Sequence, residues 1–313
     1  MKIVFMGTPD FAKGALLSII EAGHYVSLVV TNKDKPKGRS GKMVYSPIKE
    51  CAIQHDIPVF QPDKLKSKEV IDRILEEKAD IIVVAAYGHI IPNEIIEAPK
   101  YGTINVHASL LPRHRGASPI QSAILAGDEY TGVTIMNIVE KLDAGEMLYK
   151  EEIKIEKDDT AGSLFDKLAN LGGIALQKAL TKIENGEIVP QKQDESLVTF
   201  SRIIKKEAGN IDWSNSNEYI ERMIRAYCPW PSAYSFLNGK MYKIFSSKIN
   251  NEILNLKEGE IYIGDNELIV GCNKGSINIL EIQPEGKKRM KIEDFLRGSK
   301  IKSGEMFIMN KEV

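Results

Sequence analysis

The first half of the chain alternates short β-rich apolar runs with stretches of helical spacing, an order that few folds accept. Residues 2–6, 25–30, 81–86, 103–107 and 133–138 are the strand-like runs. Residues 11–22, 48–55 and 70–78 show helical patterns between them. Near-continuous apolar strands separated by helices belong to a parallel sheet covered on both faces. Residues 160–183 carry Leu164, Leu168, Leu171, Ala175 and Ala179 at helical spacing, so this helix is expected to lie on the sheet. The fold class is therefore α/β, with a Rossmann-like parallel-sheet domain first.

The pattern then changes. Residues 184–209 are polar and lack a clear period, and they contain Pro190. They separate a first domain, 1–189, from a last one, 209–313, with 190–208 as the linker. Beyond them a helix is expected at 216–226. Short β-rich runs follow at 233–237, 242–246, 260–263, 267–270 and 276–282, punctuated by Asn238-Gly239, Gly264-Asp265-Asn266 and Asn273-Lys274-Gly275. Five short strands suit a small OB-like β-barrel.

A chain of 313 residues with 43% hydrophobic and 27% charged residues has the balance of a globular protein of two domains. No apolar run reaches the roughly 18 residues that span a bilayer. The opening MKIVFMG has no signal-peptide pattern and reads as a buried strand. Cys51, Cys228 and Cys272 match no zinc or redox spacing, so no metal is expected and a reduced cytoplasmic setting fits. The net charge of -1 does not announce a nucleic-acid binder, but two local clusters do leave a polyanion partner open. One holds Lys33, Lys35, Lys37, Arg39, Lys42 and Lys49. The other holds Lys287, Lys288, Arg289, Lys291, Arg297, Lys300 and Lys302.

Gly7-Thr8-Pro9 joins the first strand to the first helix, at the sheet edge where α/β proteins bind ligands. It departs from the Gly-x-Gly-x-x-Gly dinucleotide pattern, which disfavours an NAD site. The informative segment is 102–120. Within it Asn105 and His107 stand two apart at a strand end and so face the same space. A strand buried on both faces would ordinarily carry neither. A core pair that satisfies its own hydrogen bonds is the bland alternative. The Pro- and Gly-punctuated loop that follows favours a site. Asp143 follows the 133–138 run and reaches the same edge if the two strands are neighbours; an Asp capping a turn is the competing reading.

These residues, with Gly7-Thr8-Pro9-Asp10-Phe11-Ala12, Asn105-Val106-His107, Ser109-Leu110-Leu111-Pro112 and Leu142-Asp143-Ala144-Gly145, resemble the methionyl-tRNA formyltransferase family over essentially the whole chain. The set is also similar to the wider formyltetrahydrofolate-dependent superfamily, which includes glycinamide ribonucleotide and amino-sugar formyltransferases. The basic loop 35–42 and the C-terminal Ile211-Asp212-Trp213 and 225–231 segments point to the tRNA branch. Three positions depart from the family pattern. His114 stands for a usual Trp, Ser118 for a usual Ala and Ser232 for a usual Gly.

The resemblance implies formyl transfer from 10-formyltetrahydrofolate to the methionine amine of initiator methionyl-tRNA, by a cytoplasmic monomer. It implies that Asn105 and His107 donate hydrogen bonds to the oxyanion formed when the amine attacks. Asp143 would shuttle protons and orient His107. Ser109, Leu110, Leu111 and Pro112 would wall the folate, with Tyr87 and Gly88 on a second loop. Lys37, Arg39 and Lys42 would meet the acceptor end of the tRNA. The nearest rival is a formyltransferase acting on an amino-sugar nucleotide or glycinamide ribonucleotide. A formyltetrahydrofolate hydrolase and a non-catalytic RNA-binding protein are the others.

Overall fold

The apolar runs of the first half align side by side. In chain order they form β1 (Lys2–Gly7), α1 (Phe11–Glu21), β2 (Tyr25–Val30), a hairpin of β3 (Lys35–Lys37) and β4 (Lys42–Val44), and α2 (Pro47–Gln54). There follow β5 (Val59–Phe60), α3 (Lys68–Leu75), β6 (Ile81–Ala85), α4 (Asn93–Glu97), β7 (Thr103–His107) and β8 (Arg115–Gly116). Next come α5 (Pro119–Ala126), β9 (Tyr130–Asn137), β10 (Met147–Lys154), α6 (Ala161–Glu184) and β11 (Phe200–Ser201). This computed structural model describes residues 1–37, 42–252 and 254–309. It divides into two compact units: Met1–Pro119, Tyr130–Lys154 and Phe165–Ser201 form one, and Ile120–Glu129, Ile155–Leu164 and Arg202–Val313 the other.

The large sheet of the first unit has the order β10-β9-β7-β6-β1-β2-β5. The strands from β7 through β5 run parallel, while β9 and β10 are antiparallel to their neighbours. Strand β6 is buried along its whole length, as a parallel strand covered on both faces must be. From β1 the chain moves outward to β2 and β5, then returns to β6 on the other side. The carboxyl ends of β1 and β6 therefore flank the topological switch point, where open α/β sheets bind ligands. Helix α6 lies over this sheet as its spacing predicts. Phe165 meets Phe11 edge to face with ring centroids 5.7 Å apart. A Cβ on Gly172 would come within 3.2 Å of Val106 on β7, so its absence lets α6 lie close.

Several bounds differ from the sequence reading, each for a local reason. Strand β6 stops at Ala85 because Ala86 turns to φ 46°. Strand β10 was not foreseen: it is a sheet edge whose residues are mostly exposed or half-buried, so it lacks an apolar run. The 190–208 stretch is not featureless. Gln191 bridges Met147, and β11 pairs in parallel with β8.

The second unit contains α7 (Asn217–Ala226), β12 (Ala233–Leu237), β13 (Lys240–Asn250), β14 (Ile261–Ile263), β15 (Leu268–Gly271), β16 (Ser276–Pro284), β17 (Met290–Lys291) and α8 (Ile292–Arg297). Its antiparallel sheet has the order β12-β13-β16-β15-β14. Bridges from Phe236 to Ile308 and from Glu260 to Met306 set the last described residues beside both edges, which curls the sheet into the expected small barrel. Strand β13 runs further than the sequence suggested, with register shifts between Ile244, Ser246 and Ser247 that bend it around the barrel. Trp213 and Phe307 stack inside, and the Trp213 indole N–H donates to Ser235 Oγ at 3.0 Å.

Candidate active site

Strand β7 delivers two polar side chains to the carboxyl edge. Asn105 pairs with Val84 on β6 and Met136 on β9, and His107 with Thr134 on β9. Two residues apart, they project from one face of the strand. Asn105 is half-buried, and its side chain has no hydrogen-bond partner among the described residues. An amide with unused donors and acceptors at a sheet edge is open to a ligand.

His107 is buried. Its Nε2–H donates to the His114 carbonyl at 3.0 Å, since a carbonyl can only accept. Its Nδ1 therefore faces Asp143, 3.8 Å from Oδ2. Burial pushes the His107 pKa below its ordinary 6.5, while the Asp143 carboxylate and the His114 carbonyl pull it upward and the His114 ring pushes it down. Burial outweighs the rest, so the resting ring is neutral. Nδ1 becomes a donor only when the ring gains a proton, which the carboxylate beside it favours.

Asp143 sits at φ 46°, in the left-handed region that Asp tolerates better than most residues. Its Oδ2 accepts the Gly116 N–H at 2.8 Å. Gly116 has φ 117°, and a Cβ there would stand 2.3 Å from the Ser201 carbonyl. Only glycine allows β8 to approach β11 closely enough to present this N–H. The position that carries His114 is also built for geometry. His114 is buried at φ 60°, its N–H donates to Thr199 Oγ1 at 2.9 Å, and its carbonyl holds the His107 ring.

The residues expected to wall the folate divide into two kinds. Ser109 is fully buried, with its Oγ donating to the Arg113 carbonyl at 2.7 Å and its carbonyl accepting from Thr134 Oγ1 at 2.7 Å. Leu111 packs with Met136 and Met147 in a small core cluster, and its carbonyl accepts from Lys150 Nζ at 2.6 Å. These two shape the loop from within. Leu110 and Pro112 stay half-buried at its surface. On the second loop Tyr87 is buried in the core, which pushes its phenol up to about 12, and its ring lies 5.0 Å from that of His89. Gly88 is exposed at φ 77° with open space around its Cβ position, so the turn, rather than close packing, calls for glycine.

Of the expected tRNA contacts, Arg39 lies outside the described residues. Lys37 and Lys42 end the two strands of the basic hairpin, paired with each other. The base of that hairpin is tied down. Lys49 Nζ donates to Asp34 Oδ2 at 2.6 Å, and Gln61 Nε2 donates to Asp34 Oδ1 at 3.0 Å and to the Asn32 carbonyl at 2.6 Å. In the second unit Lys287, Lys288, Lys291, Lys300 and Lys302 are exposed and in no ion pair among the described residues. Arg289 and Arg297 pair with Glu281 and Asp294.

Sequence reasoning did not single out Gly116, Thr199 or Gln193. Gln193 Nε2 donates to the carbonyls of Asp143 and Gly145. Two of the three stood in a stretch read as linker. The signal that could have found Gly116 was the Arg-Gly step within the 102–120 segment.

Comparison with known proteins identifies the family. Residues 1–180 match the formyl transferase family and residues 203–300 its C-terminal domain. A methionyl-tRNA formyltransferase of Agathobacter rectalis is 47% identical over 99% of this chain and 100% of its own. Among solved structures, the methionyl-tRNA formyltransferase from Clostridium thermocellum aligns with a TM-score of 0.56 at 19% identity, over 87% of this chain and all of its own. An N-formyltransferase from Helicobacter canadensis, in complex with folinic acid and dTDP-3-aminofucose, aligns with a TM-score of 0.64 at 20% identity, over 89% of this chain and 98% of its own. At those identities the two structures speak for the fold alone. Full-length identity near one half, together with matches to both domains, places the chain in the methionyl-tRNA formyltransferase family.

Proposed function

We propose that this chain transfers the formyl group of 10-formyltetrahydrofolate to the α-amino group of methionine on initiator methionyl-tRNA, for translation initiation in the cytoplasm. One observation carries the chemistry: the Asn105 amide, unpartnered among the described residues, lies two residues from a buried His107 whose Nδ1 faces the Asp143 carboxylate at 3.8 Å. Family membership brings a folate co-substrate, and the residues here fit one. The carboxyl edge offers Asn105 as a free donor, Leu110 and Pro112 as an apolar rim, and loop backbone at residues 86–88 for a flat heterocycle rich in donors and acceptors. The folate supplies the formyl group.

The chain's own residues then have defined tasks. Asn105 donates to the formyl oxygen as negative charge grows on it, and His107 Nδ1–H becomes a second donor once the ring is protonated. Asp143 favours that proton and passes one from the attacking amine to N10 of the folate, directly or through water, as the formyl C–N10 bond breaks and tetrahydrofolate leaves. The amine attacks only when neutral, so activity falls at low pH. Residues 1–189 carry this chemistry. Residues 209–313, joined by 190–208, hold the tRNA through exposed lysines, with Lys37, Arg39 and Lys42 of the hairpin at the acceptor end. The enzyme works as a monomer. An amino-sugar nucleotide or glycinamide ribonucleotide acceptor is not favoured, because full-length relatives at 43% to 47% identity are methionyl-tRNA enzymes while the aligned sugar enzyme stands at 20%.

The test is transfer of labelled formyl to charged initiator and elongator tRNA in parallel. Formylation of the initiator alone is expected. No transfer to either, by protein that still binds folate, contradicts the reading. Formate release without any amine would indicate a hydrolase instead.

A further inference from the structure

Fifty residues beyond Asp143 in sequence, Gln193 makes three hydrogen bonds, two to the Asp143 loop and one with Arg115. Its Nε2 donates to the Asp143 carbonyl and to the Gly145 carbonyl, each at 2.8 Å. Its Oε1 accepts from Arg115 Nε at 2.9 Å. Arg115 is fully buried, and its guanidinium can only donate. It therefore selects the amide oxygen and leaves both Nε2 hydrogens for the loop carbonyls. The opposite amide orientation would set N–H against N–H and oxygen against two carbonyls.

The residue after Arg115 is Gly116, whose N–H holds the Asp143 carboxylate at 2.8 Å. The Asp143 loop is thus gripped twice by one connected unit: its carboxylate by Gly116, and its backbone by Gln193 through Arg115. Such a grip has something to hold, since Asp143 keeps φ 46°. A second tie, Lys141 Nζ to Glu195 Oε2 at 3.1 Å, joins two side chains each more than half exposed. Solvent screening leaves such a pair little worth. Gln193 is half-buried, and its bonds run to the backbone carbonyls of Asp143 itself and of Gly145 just after it.

We propose that Gln193 is a positioning residue for formyl transfer, fixing the Asp143 carboxylate at its distance from His107. This rests on the functional reading given above. The stretch that carries Gln193 then belongs to the working site and is more than a connection between domains.

Two variants test it in the full chain. Gln193→Met keeps the length and removes every polar atom. Gln193→Glu keeps the shape and an acceptor for Arg115 but loses both donors. kcat, KM for 10-formyltetrahydrofolate, the pH profile of kcat and Tm would be measured for each. A misplacement of about 1 Å costs roughly 100-fold in rate, so kcat is expected to fall about 100-fold in both, with KM unchanged. The pH profile supplies the readout that a merely structural role would not move. The titratable groups acting on His107 are the Asp143 carboxylate, which raises its pKa, and the His114 ring, which lowers it. A loosened Asp143 raises it less, so the alkaline limb, set by loss of the His107 Nδ1 proton, moves to lower pH. Wild-type kcat in Gln193→Glu overturns the proposal. So does a lowered kcat whose pH limb has not moved, which is the signature of lost folded protein. Absence of formyl transfer by the unaltered chain would instead overturn the functional reading, and the proposal with it.

Discussion

At the end of β7 a half-buried amide, Asn105, has no partner among the described residues, and a buried imidazole faces a carboxylate across 3.8 Å. Around Trp213 in the second unit the corresponding polar groups close on one another. The Trp213 indole donates to Ser235 Oγ, and Ser235 Oγ donates to the Ile308 carbonyl at 2.8 Å. The first arrangement leaves hydrogen-bonding capacity for a visitor and strains its own backbone, with Asp143 and His114 at positive φ. The second uses its capacity to hold the end of the chain in the barrel. Its surface carries exposed lysines such as Lys287 and Lys288. On the proposed reading the first unit carries the reaction and the second binds the tRNA, and substitutions should separate the two.

The largest effect is expected for Asn105→Ala. Loss of one oxyanion donor typically slows a reaction about 100- to 1000-fold, and here it should do so with Tm unchanged, because no internal bond is lost. Single-turnover transfer rates and thermal unfolding on one preparation check this. A large loss of Tm would mean that the amide is structural.

Gly116→Ala comes next and should damage both rate and stability. Its Cβ would stand 2.3 Å from the Ser201 carbonyl, so β8 and β11 must part and the Asp143 carboxylate loses its N–H. Gly88→Ala is the contrast. It meets only the positive-φ penalty of about 1–2 kcal/mol, because nothing surrounds its Cβ position. Denaturant unfolding should rank the two in that order.

Ser235→Ala is the mirror experiment in the second unit. It orphans the buried Trp213 N–H and removes the donor to the Ile308 carbonyl, a loss of about 1–3 kcal/mol. Urea midpoints should fall while kcat stays at the wild-type value. A matching fall in kcat would break the division between the units.

The smallest effect is the acid dependence of His107. Its pKa in the folded chain is depressed below the ordinary 6.5 by burial. A group with a depressed value binds protons more readily when unfolded. Its contribution to stability is therefore complete above pH 6.5 and is lost as pH falls through the folded value. Tm should decline as pH falls from 6.5 through the folded value, and His107→Gln should remove this part of the decline.

Much of this was legible in the sequence because it depends on local pattern. Strands β1, β2, β6 and β7 are apolar runs, and Asn105 and His107 announce themselves as polar residues where a buried strand should have none. What escaped depends on contacts between distant residues. Gln193 lies 50 residues from Asp143 in a polar stretch without period, and only the pairing of β8 with β11 brings that stretch to the site. The His114 carbonyl, which fixes the His107 ring, is a backbone group and leaves no trace in residue type. Hydrophobicity alone does not show that Leu111 packs with Met136 and Met147 in a small core cluster.

The most direct test of the division between reaction and capture is steady-state kinetics of the wild type, Asn105→Ala and a Lys287→Gln/Lys288→Gln double variant, with methionyl-tRNA varied at several salt concentrations. The account predicts that Asn105→Ala lowers kcat and keeps KM for the tRNA. The double variant should keep kcat, raise that KM and flatten its salt dependence by about one unit of slope per lysine removed. A double variant that loses kcat, or an Asn105→Ala protein that loses only tRNA affinity, would contradict it.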